Sequence, residues 1–394
     1  MIRRKICFLI SSVILFLLTG CWDQVDIEER GFVVGAGIDL MDKKQNGEYQ
    51  IKLTNQFVVP SSLGTPAQGG GESKAFSNIS ATGESMYAID QEMAQLTSRS
   101  PFFEHLKIIV ISKDVAEIPN LFAEMMDIFL RDPEMRRGIK VLISDGDAKD
   151  ILDVKPENEK LTAIYIESIM ENSFKIASVL EPVRIGAVHA HLLDQNSYVI
   201  PKIAAIEKGL RYEGAAVFHG YDNKMIGELD GDETKGFNLI TGNSKKGTLK
   251  IKLDEEIIAY ELEEVKSEIR VDTKAKDNIT ISVKINVEGS IAETFGTQSL
   301  LKKKNLTEIQ KQVEKEIEKI ANHTIKKAQE ELRADVLGIG NILKQRHYEF
   351  WQTVKNEWDH GENYFAKSKF NVSANAKVRA TGSTNQTKNQ WSDR

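Results

Sequence analysis

The sequence predicts a mixed α/β and α+β protein: two to three successive domains with largely antiparallel sheets and one long helix in the C-terminal part. Three observations carry that expectation. Residues 31–195 interleave short apolar strands with amphipathic helical patterns. Residues 198–289 read as period-two strands, and a long helical stripe then precedes a final alternating segment. At 394 residues the chain is too long for a single core, and its apolar fraction of 41% lets cores be buried without metals or disulfides.

Phe32 to Asp39 reads as a strand and Asn46-Gly47 as a hairpin turn. The next strand has Tyr49, Ile51, Leu53, Phe57 and Val59 on an apolar face. Gln50, Lys52, Thr54 and Gln56 form the opposite face, which is expected to be wet. Pro, Gly and Ser mark residues 60–74 as a surface loop. A helix is expected from about Glu84 through Leu96 and a strand from Leu106 to Ile111. Another helix carries Leu121 to Phe129, ended by Arg131-Asp132-Pro133, and Ile139 to Ile143 is a strand. Asp147 is the expected N-cap of a short helix through Leu152, and helical patterns continue over 160–173 and 183–194.

After Tyr198, Arg211 to His219 and Lys224 to Leu229 form an expected hairpin, and Asp230 to Glu233 a solvated acidic turn. Leu249 to Leu253 and Ile279 to Val287 alternate as strands with one wet face. Thr307 with Gln310 has the form of a capping box. Ile309, Val313, Ile317, Ile320, Ala328 and Leu332 make one apolar stripe, and a helix taken to Arg333 spans roughly 39 Å. Gly338 and Gly340 break or bend it. A second helical stretch carries Phe350, Trp351 and Trp358, and residues 370–380 alternate as the last strand. The expected division is a leader (1–20), a tether (21–30), an N-terminal mixed domain (31–195), a C-terminal α+β region (196–382) and a disordered tail (383–394). The pattern leaves open a split of the C-terminal region into 196–290 and 291–382.

Arg3, Arg4 and Lys5 form a basic start, and Ile6 to Leu18 is an apolar run of thirteen residues. That is shorter than the about 20 needed to span a bilayer and fits the apolar region of a secretory leader. The run closes on Leu18-Thr19-Gly20-Cys21, which resembles the lipobox of bacterial lipoproteins. The resemblance implies cleavage before Cys21 and a diacylglyceryl group on its thiol. The competing reading is a plain N-terminal anchor with an incidental cysteine. Cleavage would remove three positive charges and no negative ones, taking the net charge from −6 to −9. That balance argues against nucleic-acid binding and against electrostatic adhesion to an anionic leaflet. Cys7 and Cys21 are the only cysteines. The first leaves with the leader and the second would be modified, so thiol catalysis, disulfides and zinc–thiolate sites are excluded on this reading.

No catalytic residue, metal site or cofactor site is expected. His189 and His191 share a face only on a strand, and the pattern around them is helical. Gly35-x-Gly37 lacks the third glycine and the following helix of a dinucleotide loop. The Asp230 to Glu233 spacing is not that of an EF-hand. There is no G-x-S-x-G, H-E-x-x-H or P-loop. The contact candidates are Trp22, Asp23, Arg131, Arg136, Trp351 and Trp358. The competing readings are core for the aromatic residues and a salt-bridged helix end for the arginines.

An ordered set of segments resembles the Ger(x)C family, the lipoprotein C subunit of spore germinant receptors. The set is Cys21-Trp22-Asp23, Gly35-Ala36-Gly37-Ile38-Asp39, His105 to Val110, Arg131 to Arg137, Ala216-Val217-Phe218 with Ile226-Gly227, and Ala334 to Gly340 with Trp351 and Trp358. It covers nearly the whole chain after Cys21. The departures are Met135, where a branched aliphatic is expected, and the length of loop 60–74. The resemblance implies successive mixed α/β domains and a non-catalytic, lipid-anchored subunit on the extracytoplasmic face of the spore inner membrane. It also implies two integral membrane partners, the A and B subunits, and a role in receptor assembly or signalling in germination. The alternative is a solute-binding lipoprotein that takes a small nutrient directly. Against it stand the antiparallel alternation after residue 198 and the lack of a second βαβ series.

Overall fold

The computed structural model describes Arg4 and residues 29–43, 48–62, 74–243, 246–253, 256–294 and 302–380. Cys21, Trp22 and Asp23, the Asn46-Gly47 turn, most of loop 60–74 and the tail 383–394 lie outside the described residues.

The architecture is mixed α/β with two sheets, as the sequence predicts. The first runs β3-β2-β1-β5-β6-β7-β8-β9, with β4 (Ser100–Phe102) paired alongside β1. Its centre is parallel: β1 (Arg30–Lys43), β5 (Ile108–Ser112), β6 (Lys140–Ser144) and β7 (Tyr198–Ile206). Antiparallel strands flank that centre, β2 (Tyr49–Val58) and β3 (Phe76–Gly83) on one side, β8 (Gly209–His219) and β9 (Lys224–Leu229) on the other. The change of texture near residue 195 therefore falls inside this sheet, which continues to Leu229. Antiparallel edge strands on a parallel sheet are common, and a change from crossovers to hairpins does not by itself end a sheet.

Helices cover both faces. Over one face lie α1 (Met86–Leu96), α2 (Leu121–Arg131) and α5 (Ile185–Asp194), burying Ile89, Met93, Phe122, Met126 and Val188 against Ile38, Ile109 and Val141. Over the other lie α3 (Ala148–Asp153) and α4 (Thr162–Glu171), burying Leu152, Ala163 and Ile166 against Ile108, Val110 and Leu142. The second face of β2, expected to be wet, is therefore covered: Thr54 and Gln56 are buried. Gln56 is satisfied there by donating from Nε2 to the Leu152 carbonyl at 2.9 Å and accepting at Oε1 from the Ala163 amide at 2.9 Å. A buried amide with both ends bonded costs little, so a polar residue can stand in a core strand.

The second sheet runs β10 (Gly247–Leu253), β11 (Glu256–Ala275), β12 (Asn278–Thr294), β13 (Lys369–Ala380). The first three are antiparallel, and β13 joins β12 in parallel. Two helices lie on its inner face. α6 (Gly231–Thr241) begins at Asp230, whose carboxylate accepts from the Glu233 amide while Glu233 accepts from the Asp230 amide. The expected acidic turn is thus a capping box. The long helix α7 (Lys303–Lys326) continues as a π-helical segment over Lys327–Leu332 and stops at Arg333, which is left-handed at φ 54°. It begins before the expected Thr307 cap. The Thr307 hydroxyl donates to the Lys303 carbonyl, the bond a threonine makes inside a helix. The stripe from Ile309 to Leu332 is buried apart from Ile320, in a core that reaches from Ala215, Val217 and Leu229 of the first sheet to Ile281 and Val283 of the second. The two sheets share this core.

α6 and α7 meet at Gly236. A Cβ there would stand 2.9 Å from the Ile320 carbonyl oxygen, so the helices touch backbone to backbone. Gly236→Ala is expected to destabilise the fold by about 1–3 kcal/mol through overpacking, read as a lower urea midpoint at unchanged slope.

Candidate functional site

The segment Ala334 to Gly340 follows the left-handed Arg333 and cannot extend α7. Gly338 is itself left-handed at φ 76° and opens α8 (Ile339–Arg346), followed by α9 (Tyr348–Val354). The turn is held by Asp335, which is buried. One carboxylate oxygen accepts from the Ile339 amide at 3.0 Å. The other accepts from the Gly340 amide at 2.6 Å and from the Trp358 indole Nε1 at 2.7 Å. Three N–H groups on one carboxylate fix the start of α8 and the ring of Trp358 together. Gly340 lies under that ring: a Cβ would come 3.1 Å from Trp358 Cδ1 and 3.2 Å from Trp351 Cη2. Trp351 packs edge-on to Trp358 with centroids 6.1 Å apart.

This knot seats on the end of the first sheet. Ser197 Oγ donates to Asp359 Oδ2 at 2.6 Å and accepts from the Gly220 amide at 3.2 Å. Asn196 Nδ2 donates to Asn341 Oδ1 at 3.0 Å, and Lys344 pairs with Asp194 at 3.1 Å. Beside the seam opens a cleft of about 620 Å³, lined by Tyr221, Tyr348, Trp351, Lys355 and His360 among others. It belongs to the joint between the two sheets.

The other signature segments are spent in the same way. Gly35 and Gly37 let α3 and α4 lie on β1; a Cβ at either would meet Leu152 side-chain carbons at 3.1 Å. Asp39 is buried, and its carboxylate accepts from the Ala148 amide at 2.6 Å and the Lys149 amide at 3.1 Å. It caps α3 in place of Asp147, whose side chain makes no cap bond. Burial pushes the Asp39 carboxyl above its ordinary value, with those two amides pulling the other way. Gly227 faces Leu332 at the end of α7. Ile108 to Val110 are buried in the parallel centre, and Ala216 to Phe218 are buried in the flanking strand β8.

Arg131, the last residue of α2, is exposed and pairs with Asp127 at 2.7 Å, and Arg136 in the stretch that follows is exposed. Arg137 meets His189 Nδ1 at 2.8 Å. Asp132 accepts from the Glu134 amide, and Glu134 from the Phe103 amide. Asp90 on α1 is pushed up to about 6, first by burial and then by Asp132 and Glu134. His189 and His191 lie on α5 as the pattern indicates, and His191 stacks on Tyr198 with centroids 5.0 Å apart.

Of the expected contact residues, the structure leaves Arg131 and Arg136 exposed and half-buries Trp351 in the cleft wall. Trp358 is a correction. It is 3% exposed and belongs to the core, because Asp335 supplies the buried partner its indole N–H requires. Sequence reasoning named Asp335 and Asp39 only as members of the family signature, without a role, and missed Asp359 and Ser197. Asp335 and Asp39 carry a signal, a lone acid flanked by small or apolar residues in Ala334-Asp335-Val336 and Ile38-Asp39-Leu40, whereas Asp359 and Ser197 carry none. Among the described residues no group of three or more His, Cys, Asp or Glu could hold a metal, and no helix is long and apolar enough to cross a membrane.

Glycines at close contacts and buried carboxylates on amide groups define a class: a two-sheet mixed α/β scaffold whose signature residues join its parts. The comparisons give the family. Residues 23–205 match the spore germination protein N-terminal domain, and residues 213–382 match the spore germination B3/GerAC-like C-terminal domain, so the chain belongs to this spore germination family. It is similar to spore germination protein YndF of Bacillus subtilis (strain 168), 32% identical with 96% of this chain and 97% of the relative covered. Spore germination protein A3 of the same organism is 28% identical, with 96% and 98% covered. The crystal structure of the GerBC protein superposes with TM-score 0.60 at 20% identity over 87% of this chain and 97% of that one, a likeness of fold.

The Asp335 carboxyl is pushed up to about 6 by burial, against its three N–H donors and helped by Asp359. The folded value thus lies above the ordinary 3.8. The folded protein therefore binds the proton more tightly than the unfolded chain, and stability falls as pH rises from about 4 to about 6. The stability advantage of wild type over Asp335→Asn is expected to shrink by roughly 3 kcal/mol across that window and then to level off, read by urea titration at stepped pH.

Proposed function

We propose that this spore germination protein is the C-type subunit of a nutrient germinant receptor, lipid-anchored through Cys21 and non-catalytic. It assembles with the integral membrane A and B subunits on the extracytoplasmic face of the spore inner membrane. The observation that carries this reading is the match to both germination domains across 23–205 and 213–382, with the signature residues in the described part engaged in packing and capping. Lipid must do the anchoring, since the net charge of −6 offers no attraction to anionic headgroups. The exposed Arg131 and Arg136 and the segment Trp22-Asp23 beside the lipid are the contacts offered to the sister subunits.

A second reading, direct binding of a small nutrient, is favoured by the cleft of about 620 Å³ at the seam with its aromatic wall. Calorimetry of the whole protein against amino acids and sugars separates the two: micromolar heats that vanish in Trp351→Ala support binding in the cleft.

Cys21→Ala is expected to abolish incorporation of labelled fatty acid, move the protein to the soluble fraction and slow germination through this receptor alone. Normal germination with an unlabelled, soluble protein contradicts the anchored-subunit reading.

A further inference from the structure

Single exposed apolar side chains are ordinary on a protein surface, but clusters of them mark contact sites. Among the described residues the most exposed large apolar side chains are Leu193 at 72%, Tyr87 at 67%, Tyr221 at 66% and Tyr348 at 61%. Three of these four stand together. Tyr221 and Tyr348 line the seam cleft, as does Asp194, the neighbour of Leu193. Asp194 in turn pairs with Lys344, one helical turn before Tyr348.

The cluster lies at one end of the first sheet. Leu193 is in the last turn of α5, just ahead of β7. Tyr221 follows β8, whose Phe218 pairs with Tyr198 at the start of β7. β7, β6, β5 and β1 run parallel, so β1 begins at this end as well. The chain ahead of β1 is short: eight residues, Trp22 to Glu29, separate Cys21 from Arg30. Eight residues reach about 30 Å at most, and β1 and β7 lie three strand spacings, about 14 Å, apart. A lipid on Cys21 therefore draws this end of the sheet to the bilayer. Tyr87 is the contrast. It opens α1 after β3, which ends at Gly83 beside Ile51, and Ile51 pairs with Leu40 near the far end of β1.

The exposed charges of the clustered segments cancel, Lys344, Arg346 and Lys355 against Asp194, Glu349 and Glu357. Attraction to anionic headgroups is then small, and entry into the interface falls to the two rings and Leu193. Tyrosine suits that boundary, since its ring is apolar and its hydroxyl stays wet. Three side chains would hold a free protein only weakly. On a lipid leash the same contacts act at high effective concentration, so the lipid holds the body and the face orients it.

We infer that the face formed by Leu193, Tyr221 and Tyr348 rests on the bilayer, with these three side chains at headgroup depth. The inference depends on the proposed lipid anchor at Cys21. It fixes which end of the body meets the membrane, and it turns the seam cleft toward the headgroups.

Site-directed labelling tests this. On the anchored reading the mature chain has no free thiol, since Cys7 leaves with the leader and Cys21 is acylated, so one introduced cysteine takes a single label. Leu193→Cys and Tyr348→Cys, with Tyr87→Cys as control, each carry a fluorophore on the lipidated full chain. The protein is floated with phosphatidylcholine vesicles that hold no other protein. With a nitroxide at the lipid headgroup, the labels at 193 and 348 are expected to lose about half or more of their emission, and the label at 87 less than about a tenth. Adding Leu193→Asp and Tyr221→Asp to Tyr348→Cys should return about half or more of the lost emission while the protein still floats. Labels at 193 and 348 quenched no more than the label at 87, on protein that floats, overturn the inference and leave the anchor standing. Quenching untouched by the two aspartates overturns it too, as does shielding that appears only when membrane subunits are added. Protein that does not float removes the anchor and the inference with it.

Discussion

One buried carboxylate, Asp335, decides how the C-terminal half meets the first sheet. A long helix ending on a left-handed residue leaves its successor without direction. Asp335 supplies it by binding two amides of the next helix and the indole of Trp358 at once. Everything at the seam follows from that placement. Trp358 brings Trp351 and the adjoining Asp359, and Asp359 reaches Ser197 at the start of β7. Burying an acid is costly unless its oxygens are fully occupied; here three donors occupy them, yet desolvation still raises the group.

The same device appears at the other end of the fold. Asp39 leaves the core strand β1 to cap a helix that its own N-cap does not cap, and Gly35 and Gly37 remove the side chains that would hold that helix off. Acids and glycines in such positions resemble catalytic or nucleotide-binding signatures when read one at a time. In three dimensions they are joints.

Much of the fold was legible in the sequence because most elements obey one period. The stripe from Ile309 to Leu332 and the alternation from Ile279 to Val287 each bury the face expected of them. What was not legible depended on layers that no local pattern records. Thr54 and Gln56 look like a wet face until α3 and α4 are laid over them. The first sheet runs through residue 195 because β7 joins the parallel centre before the hairpins begin. Trp358 reads as either a contact or a core residue until its partner Asp335, 23 residues earlier, is placed. Of the contact candidates, only the arginines kept the exposure that a docking surface requires, and Cys21 to Asp23 lie outside the described residues.

The central claim is that the seam around Asp335 is structural and joins the two sheets into one body. Amide hydrogen exchange of Asp335→Ala against wild type addresses it directly. Protection should fall together in residues 334–358 and in residues 196–220 of the first sheet, with α1 to α4 unchanged. Loss confined to residues 334–340, with 196–220 as protected as in wild type, would contradict the account.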